Sequence, residues 1–132
     1  MSKIIIIGGG ASGMTAGIFA HKTNPQLNIC IVEKNNRIGK KILTTGNGRC
    51  NLTNNKIDDN CYNGSKRLLS YLSADISSSE EFFSDMGLAC KSDEQGRVYP
   101  HSMAASSVLD ALRFTAIAKG VDIMCEHTVS EI

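Results

Sequence analysis

The chain opens on a short apolar run, Lys3–Ile7, that is closed at once by three glycines. A β-branched run of this length, without polar alternation, predicts a strand buried on both faces, as in a parallel sheet. Residues Ala11–Thr23 follow with helical spacing, and Asn24-Pro25 ends them. Gly13, Ala16, Gly17 and Ala20 predict one stripe of small residues on that helix. Two helical glycines cost about 1 kcal/mol each relative to alanine, so the stripe is expected to approach the sheet closely. A second apolar run at 28–33, Asn-Ile-Cys-Ile-Val-Glu, predicts a second buried strand. Strand, helix and strand in about thirty residues make a βαβ unit, for which a right-handed crossover is expected.

Residues 34–64 break the pattern. They are rich in Asn, Gly, Thr and Lys, with little apolar periodicity. Loops of that length inside a domain are uncommon unless they carry function or are disordered. Beyond them the spacing predicts helices at 66–74 and 78–86, the second with N-cap hydroxyls and early acids. Runs at 88–91 and 97–99 flank Ser-Asp-Glu-Gln-Gly and predict a hairpin. A helix is expected at 104–119, with Val108, Leu109, Leu112 and Ala116 on one face and Gly120 as its C-cap. Strands are expected at 121–125 and 128–132. The chain stops inside the last of these, as a fragment would. The predicted class is α/β: a Rossmann-like domain with a mostly parallel sheet flanked by helices, incomplete at its carboxyl end, with no internal repeat.

Composition narrows the picture without changing it. The 132 residues correspond to about one domain, here residues 1–132. Fourteen basic and thirteen acidic residues leave a net charge of +1, and no basic stripe points to nucleic acid. The run Ile4 to Ile7 is too short for a signal-peptide core or a membrane span, so no membrane partner is expected. Five cysteines, at 30, 50, 61, 90 and 125, form no C-x-x-C pair. Neither a zinc site nor a disulfide framework is indicated, and reduced thiols in the cytoplasm are the expectation.

The chemistry is concentrated at the glycines. Gly8-Gly9-Gly10-Ala11-Ser12-Gly13 fits G-x-G-x-x-G, follows a predicted strand, opens a predicted helix and precedes an acid ending the next strand. That context converts a weak pattern into a dinucleotide-binding fingerprint. Gly8 would permit the tight turn, Gly10 the approach of a pyrophosphate, and Gly13 close packing of helix on strand. Phosphate would be drawn to the open N–H groups and positive dipole end of the helix, beside Ala11 and Ser12. Glu33, followed by Lys34, is placed to accept hydrogen bonds from both hydroxyls of an adenosine ribose and to repel a 2′-phosphate. FAD and NAD both carry ADP, so the βαβ unit does not separate them. The glycines of the following loop allow an anion-binding nest, with Lys41 and Arg49 adding positive charge. Lys40 is equally well a solvated loop residue.

Residues 39–54, with Thr-Gly-Asn-Gly-Arg-Cys-Asn-Leu-Thr-Asn at their heart, and the later Gly-Arg-Val-Tyr-Pro-His-Ser run at 96–102 leading into 105–112, closely resemble the BaiN/YhiN-like flavoproteins, the aminoacetone oxidase-like FAD-binding enzymes. The resemblance covers essentially the whole chain. It implies FAD as cofactor, in a two-dinucleotide-binding-domain type of fold with an inserted domain over the flavin. It implies that Gly48, Arg49, Cys50 and Asn51 lie against the FAD and that the backbone near Val129 contacts adenine. Members are longer, so it implies the amino-terminal part of a flavin-dependent oxidoreductase acting on a small molecule, not catalytically complete by itself. Whether NADH or NADPH supplies electrons at a separate site is left open by these residues.

Single residues add little. Cys50 beside Arg49 is either a thiol with a lowered pKa or a small residue packed beside the flavin. His21 and His127 have no partner at metal-ligand spacing, and His101 faces either the substrate or the protein interior. No catalytic acid or base stands out. A flavoenzyme segment, a non-catalytic FAD- or NAD-binding module and a truncated product unable to hold cofactor are the three readings compatible with these residues.

Overall fold

The computed structural model describes residues 3–56, 61 and 76–131. The helix predicted at 66–74 lies outside the described residues. Strand β1 (Lys3–Ile7) leads through helix α1 (Ala11–Thr23) to strand β2 (Asn28–Val32). The two strands pair in parallel from Lys3 opposite Asn28 to Ile7 opposite Val32. A third strand, β6 (Asp122–Met124), joins the other edge of β2 in parallel, Cys30 opposite Asp122 and Val32 opposite Met124. The sheet order is therefore β1-β2-β6.

Between β2 and β6 the chain makes a 3-10 segment (Ile42–Gly48), β3 (Thr53–Asn54), helix α2 (Ile76–Asp85), β4 (Cys90–Ser92), β5 (Arg97–Pro100) and helix α3 (Ala105–Ala118). Strands β3, β5 and β4 form a second, antiparallel sheet. The expected hairpin is present, with Cys90 opposite Pro100 and Ser92 opposite Val98. Its turn is tied by Asp93, whose carboxylate accepts the backbone N–H groups of Gln95 and Arg97, both at 3.0 Å.

Period-2 geometry sorts the parallel sheet into two faces. Ile29 and Ile31 of β2 point to the side covered by α1 and α3, where Met14, Ile18, Val108, Leu112 and Ala116 complete the core. Ile4, Ile6 and Ile123 share that face by register. On the opposite face Cys30 is buried at 3 % exposure, but Ile5, Ile7 and Met124 stand 57 %, 54 % and 42 % exposed. The expectation that β1 is buried on both faces thus fails: Ile4 and Ile6 are half-buried on the covered face, and the other face is exposed. Among the described residues β1 is an edge strand, and no described helix covers its second side.

Three further differences have physical causes. The buried seam of α1 is Gly13, Met14, Gly17 and Ile18, whereas Ala16 is exposed. The large apolar residues set the helix rotation, and the small-residue stripe does not. The segment 34–56 has little regular structure but is anchored by Ile38 and Ile42, 5 % and 4 % exposed. The strand expected from residue 128 is not formed. Glu126 turns the chain with a φ of 60°. Its N–H donates to the Asn35 carbonyl at 2.9 Å, and the His127 N–H to the Glu33 carbonyl at 3.0 Å. The chain crosses the end of β2 instead of extending the sheet.

The remaining elements follow expectation closely. Helix α3 buries Ala105, Val108, Leu112 and Ala116. It ends at Gly120, φ 72°, where the Val121 N–H donates to the Ala116 carbonyl at 3.0 Å. Helix α2 is held to α1 by the stacked rings of Phe82 and Phe19, 5.1 Å apart.

Candidate functional site

The turn after β1 is shaped residue by residue. Gly8 has a φ of 99°, a conformation that favours glycine, and its N–H donates to the Val32 carbonyl at 2.8 Å. Gly10 is different: its φ of −81° suits any residue. A Cβ built there meets no atom within 4 Å, so its side-chain position is open space. A Cβ on Gly13 would lie 1.9 Å from the Gly8 carbonyl oxygen, so helix and turn meet there at backbone distance. No side chain caps α1. The N–H groups of Ala11, Ser12 and Gly13 have no partner within the helix, as at any helix start.

Glu33 is the buried charged residue among those described, at 8 % exposure. One carboxylate oxygen, Oε2, accepts the Gly9 N–H at 2.8 Å. The other, Oε1, accepts the Asn35 N–H at 2.8 Å and also its side-chain amide. These donors, led by the Asn35 backbone, hold the carboxyl below the usual carboxylate range; burial opposes them, and Lys34 adds a smaller favourable charge. The acid therefore stays ionised and tethers the second strand to the glycine turn. The loop is tied to the same turn, for the Gly39 N–H donates to the Gly9 carbonyl at 2.7 Å.

These pieces enclose an open cavity of about 360 Å³, lined by residues 7–10, 32–35, 39–41 and 127–129. It lies beyond the carboxyl ends of β1 and β2, where open parallel sheets bind their ligands. The structure brings Gly8, Gly10, Glu33, Lys34, Lys41 and Val129 together around it. Ala11, Ser12 and Gly13 stand behind the turn at the start of α1. Gly48, Arg49, Cys50 and Asn51 do not line this cavity. Arg49 donates from Nε to the Gly46 carbonyl at 3.2 Å and lies over the Tyr99 ring, 5.1 Å from its centroid. The Asn51 amide donates to the carbonyls of Thr53 and Val98, both at 3.2 Å. Cys50 is buried with a φ of 57°. These hydrogen bonds and ring contacts give the loop a defined shape apart from the glycine turn.

Sequence reasoning missed several cavity residues. Asn35 carries the clearest overlooked signal, an Asn two residues after an acid that can fold back on it. Lys40 lines the cavity beside Lys41, and His127 and Thr128 line it beside Val129. His127 has no partner at metal-ligand spacing, and spacing along the chain gives no hint of its position at the cavity. Among the described residues no group of three or more His, Cys, Asp or Glu is placed to hold a metal ion. No described helix is long and apolar enough to cross a membrane.

A parallel βαβ unit with a glycine turn at its crevice and an acid after its second strand defines a Rossmann-type domain. The chain belongs to the HI0933-like family: residues 2–132 match the model described as HI0933-like protein Rossmann domain. It is 44 % identical over 117 residues to the 3-dehydro-bile acid delta(4,6)-reductase of Clostridium scindens, a match covering 85 % of this chain and 28 % of that protein. It is 36 % identical over 58 residues to the ribosomal RNA dihydrouridine synthase of Escherichia coli, covering 44 % of this chain and 14 % of the synthase. Among solved structures, THI4 of Thermovibrio ammonificans superposes with a TM-score of 0.64 at 15 % identity, over 94 % of this chain and 38 % of that one. This last likeness concerns the fold alone. The chain thus spans about a quarter of the length of the reductase it matches.

Proposed function

We propose that this chain is the ADP-binding part of an FAD site, in a longer cytoplasmic flavin-dependent oxidoreductase that reduces a small molecule. The observation that carries the reading is the joining, in one cavity, of an open glycine turn and the buried carboxyl group of Glu33. The space before Gly10 suits a pyrophosphate, which would receive N–H groups from the start of α1. Glu33 suits a ribose hydroxyl and disfavours a 2′-phosphate. Lys34, Lys40 and Lys41 supply cations at the same cavity. When bound, the flavin would carry the electrons, and the protein would hold and orient it.

The family loop at Gly48, Arg49, Cys50 and Asn51 is assigned to the flavin half of the same cofactor. Its place outside the cavity is compatible with that division. The substrate class follows the two relatives, a reductase and a dihydrouridine synthase, whose names both describe the addition of hydrogen. A small molecule is preferred to RNA because the reductase match covers about twice as much of this chain. NADH or NADPH at a separate site is the proposed electron source.

The test is the visible spectrum of the purified chain after incubation with FAD and removal of the unbound part, together with calorimetric titration of ADP. A bound flavin spectrum or saturable ADP binding is expected. A folded chain that takes up neither overturns the reading.

A further inference from the structure

The acceptor capacity of the cavity points to a residue outside the glycine fingerprint. An ionised carboxylate offers about four lone-pair positions. Three of those on Glu33 are already taken, by the backbone N–H groups of Gly9 and Asn35 and by the Asn35 amide. One remains, whereas an adenosine ribose presents two hydroxyl donors. Lys34, Lys40 and Lys41 line the same cavity but accept no hydrogen bonds.

His127 has the missing property. Its backbone N–H is bonded to the Glu33 carbonyl, so it stands beside the acid, and it lines the same cavity. Its ring is fixed by Nδ1, 2.6 Å from the Cys125 carbonyl oxygen. A carbonyl only accepts, so Nδ1 is the donor in this contact, which leaves Nε2 as the ring nitrogen that can accept. We infer that His127, through Nε2, supplies the second acceptor for the ribose diol, so that Glu33 and His127 each take one hydroxyl. The inference rests on the proposed nucleotide reading of the site.

The test titrates ADP, 2′-deoxy-ADP and 3′-deoxy-ADP into the chain and its variants, with circular dichroism as a check on folding. The unaltered chain should bind ADP about fivefold more tightly than either deoxy nucleotide, the worth of one hydrogen bond. His127→Asn keeps a donor near the Nδ1 position and removes the acceptor. It should weaken ADP about fivefold and bind one of the two deoxy nucleotides as well as it binds ADP. His127→Gln, with an amide oxygen near the Nε2 position, should recover part of the loss. His21→Asn, in the last turn of α1 and outside the cavity, should leave the preference intact. The inference is overturned if His127→Asn binds ADP normally, if it loses affinity for all three nucleotides alike, or if His21→Asn shows the same effect. Failure of the unaltered chain to bind ADP would instead remove the nucleotide reading, and this inference with it.

Discussion

Gly10 and Glu33 place opposite demands on the chain, one of space and one of charge. Gly10 needs no special backbone conformation, and its Cβ position is empty. Gly10→Val should therefore leave the melting temperature nearly unchanged while abolishing binding of ADP, read by calorimetry beside a thermal melt. Glu33→Ala removes charge-assisted hydrogen bonds that count for about 1.5–3 kcal/mol each. ADP affinity should fall at least tenfold, and unchanged affinity would move the ribose elsewhere. The same carboxyl gives the fold an acid limit. Its pKa is lowered on folding, so its contribution is complete above the ordinary carboxylate range and is lost as pH falls through the lowered value. Melting temperatures should drop on acidification in that window, and Glu33→Gln should flatten that part of the profile. Both residues were legible in the sequence, because a turn glycine and a strand-end acid are fixed by spacing along one βαβ unit. Asn35 and His127 were not, because their roles depend on where the chain folds back in space.

At the level of elements, α1 shows what periodicity can and cannot deliver. Its limits, its terminating Asn24 and its place between two strands follow from the sequence. Its rotation does not, because small residues at Gly13, Ala16, Gly17 and Ala20 fit more than one face. The two buried glycines are also unequal. A Cβ on Gly13 would strike the Gly8 carbonyl, whereas one on Gly17 would find Val121, Ile31 and Ile6 at 3.4–3.5 Å, ordinary contact distances. Gly17→Ala should stabilise the chain by up to ~1 kcal/mol through helix propensity. Gly13→Ala should destabilise it by about 1–3 kcal/mol, as overpacking does. Denaturant melts of both variants check the contrast; equal effects would contradict the packing described for α1. The strand expected at 128–132 failed for a related reason. Val129 has strand propensity, but the left-handed turn at Glu126 and two backbone bonds to the end of β2 take the chain over the cavity.

Across the whole molecule, the α/β class and the parallel β1-β2 pair were readable from two apolar runs and the glycines between them. The second, antiparallel sheet was visible only as a hairpin, because β3 is two residues long and buries no apolar repeat. The asymmetry of the parallel sheet was not readable at all: isoleucine runs look alike whether one face is covered or two. That asymmetry has a dynamic consequence. β2 is bonded on both sides, whereas among the described residues β1 is bonded on one. In deuterium oxide the amides of Ile29 and Ile31 should be among the slowest to exchange, limited by opening of the whole domain. Along β1, amides directed at β2 should exchange slowly and those directed away from it quickly. Alternate residues of one isoleucine run, indistinguishable by composition, would then carry protection differing by orders of magnitude.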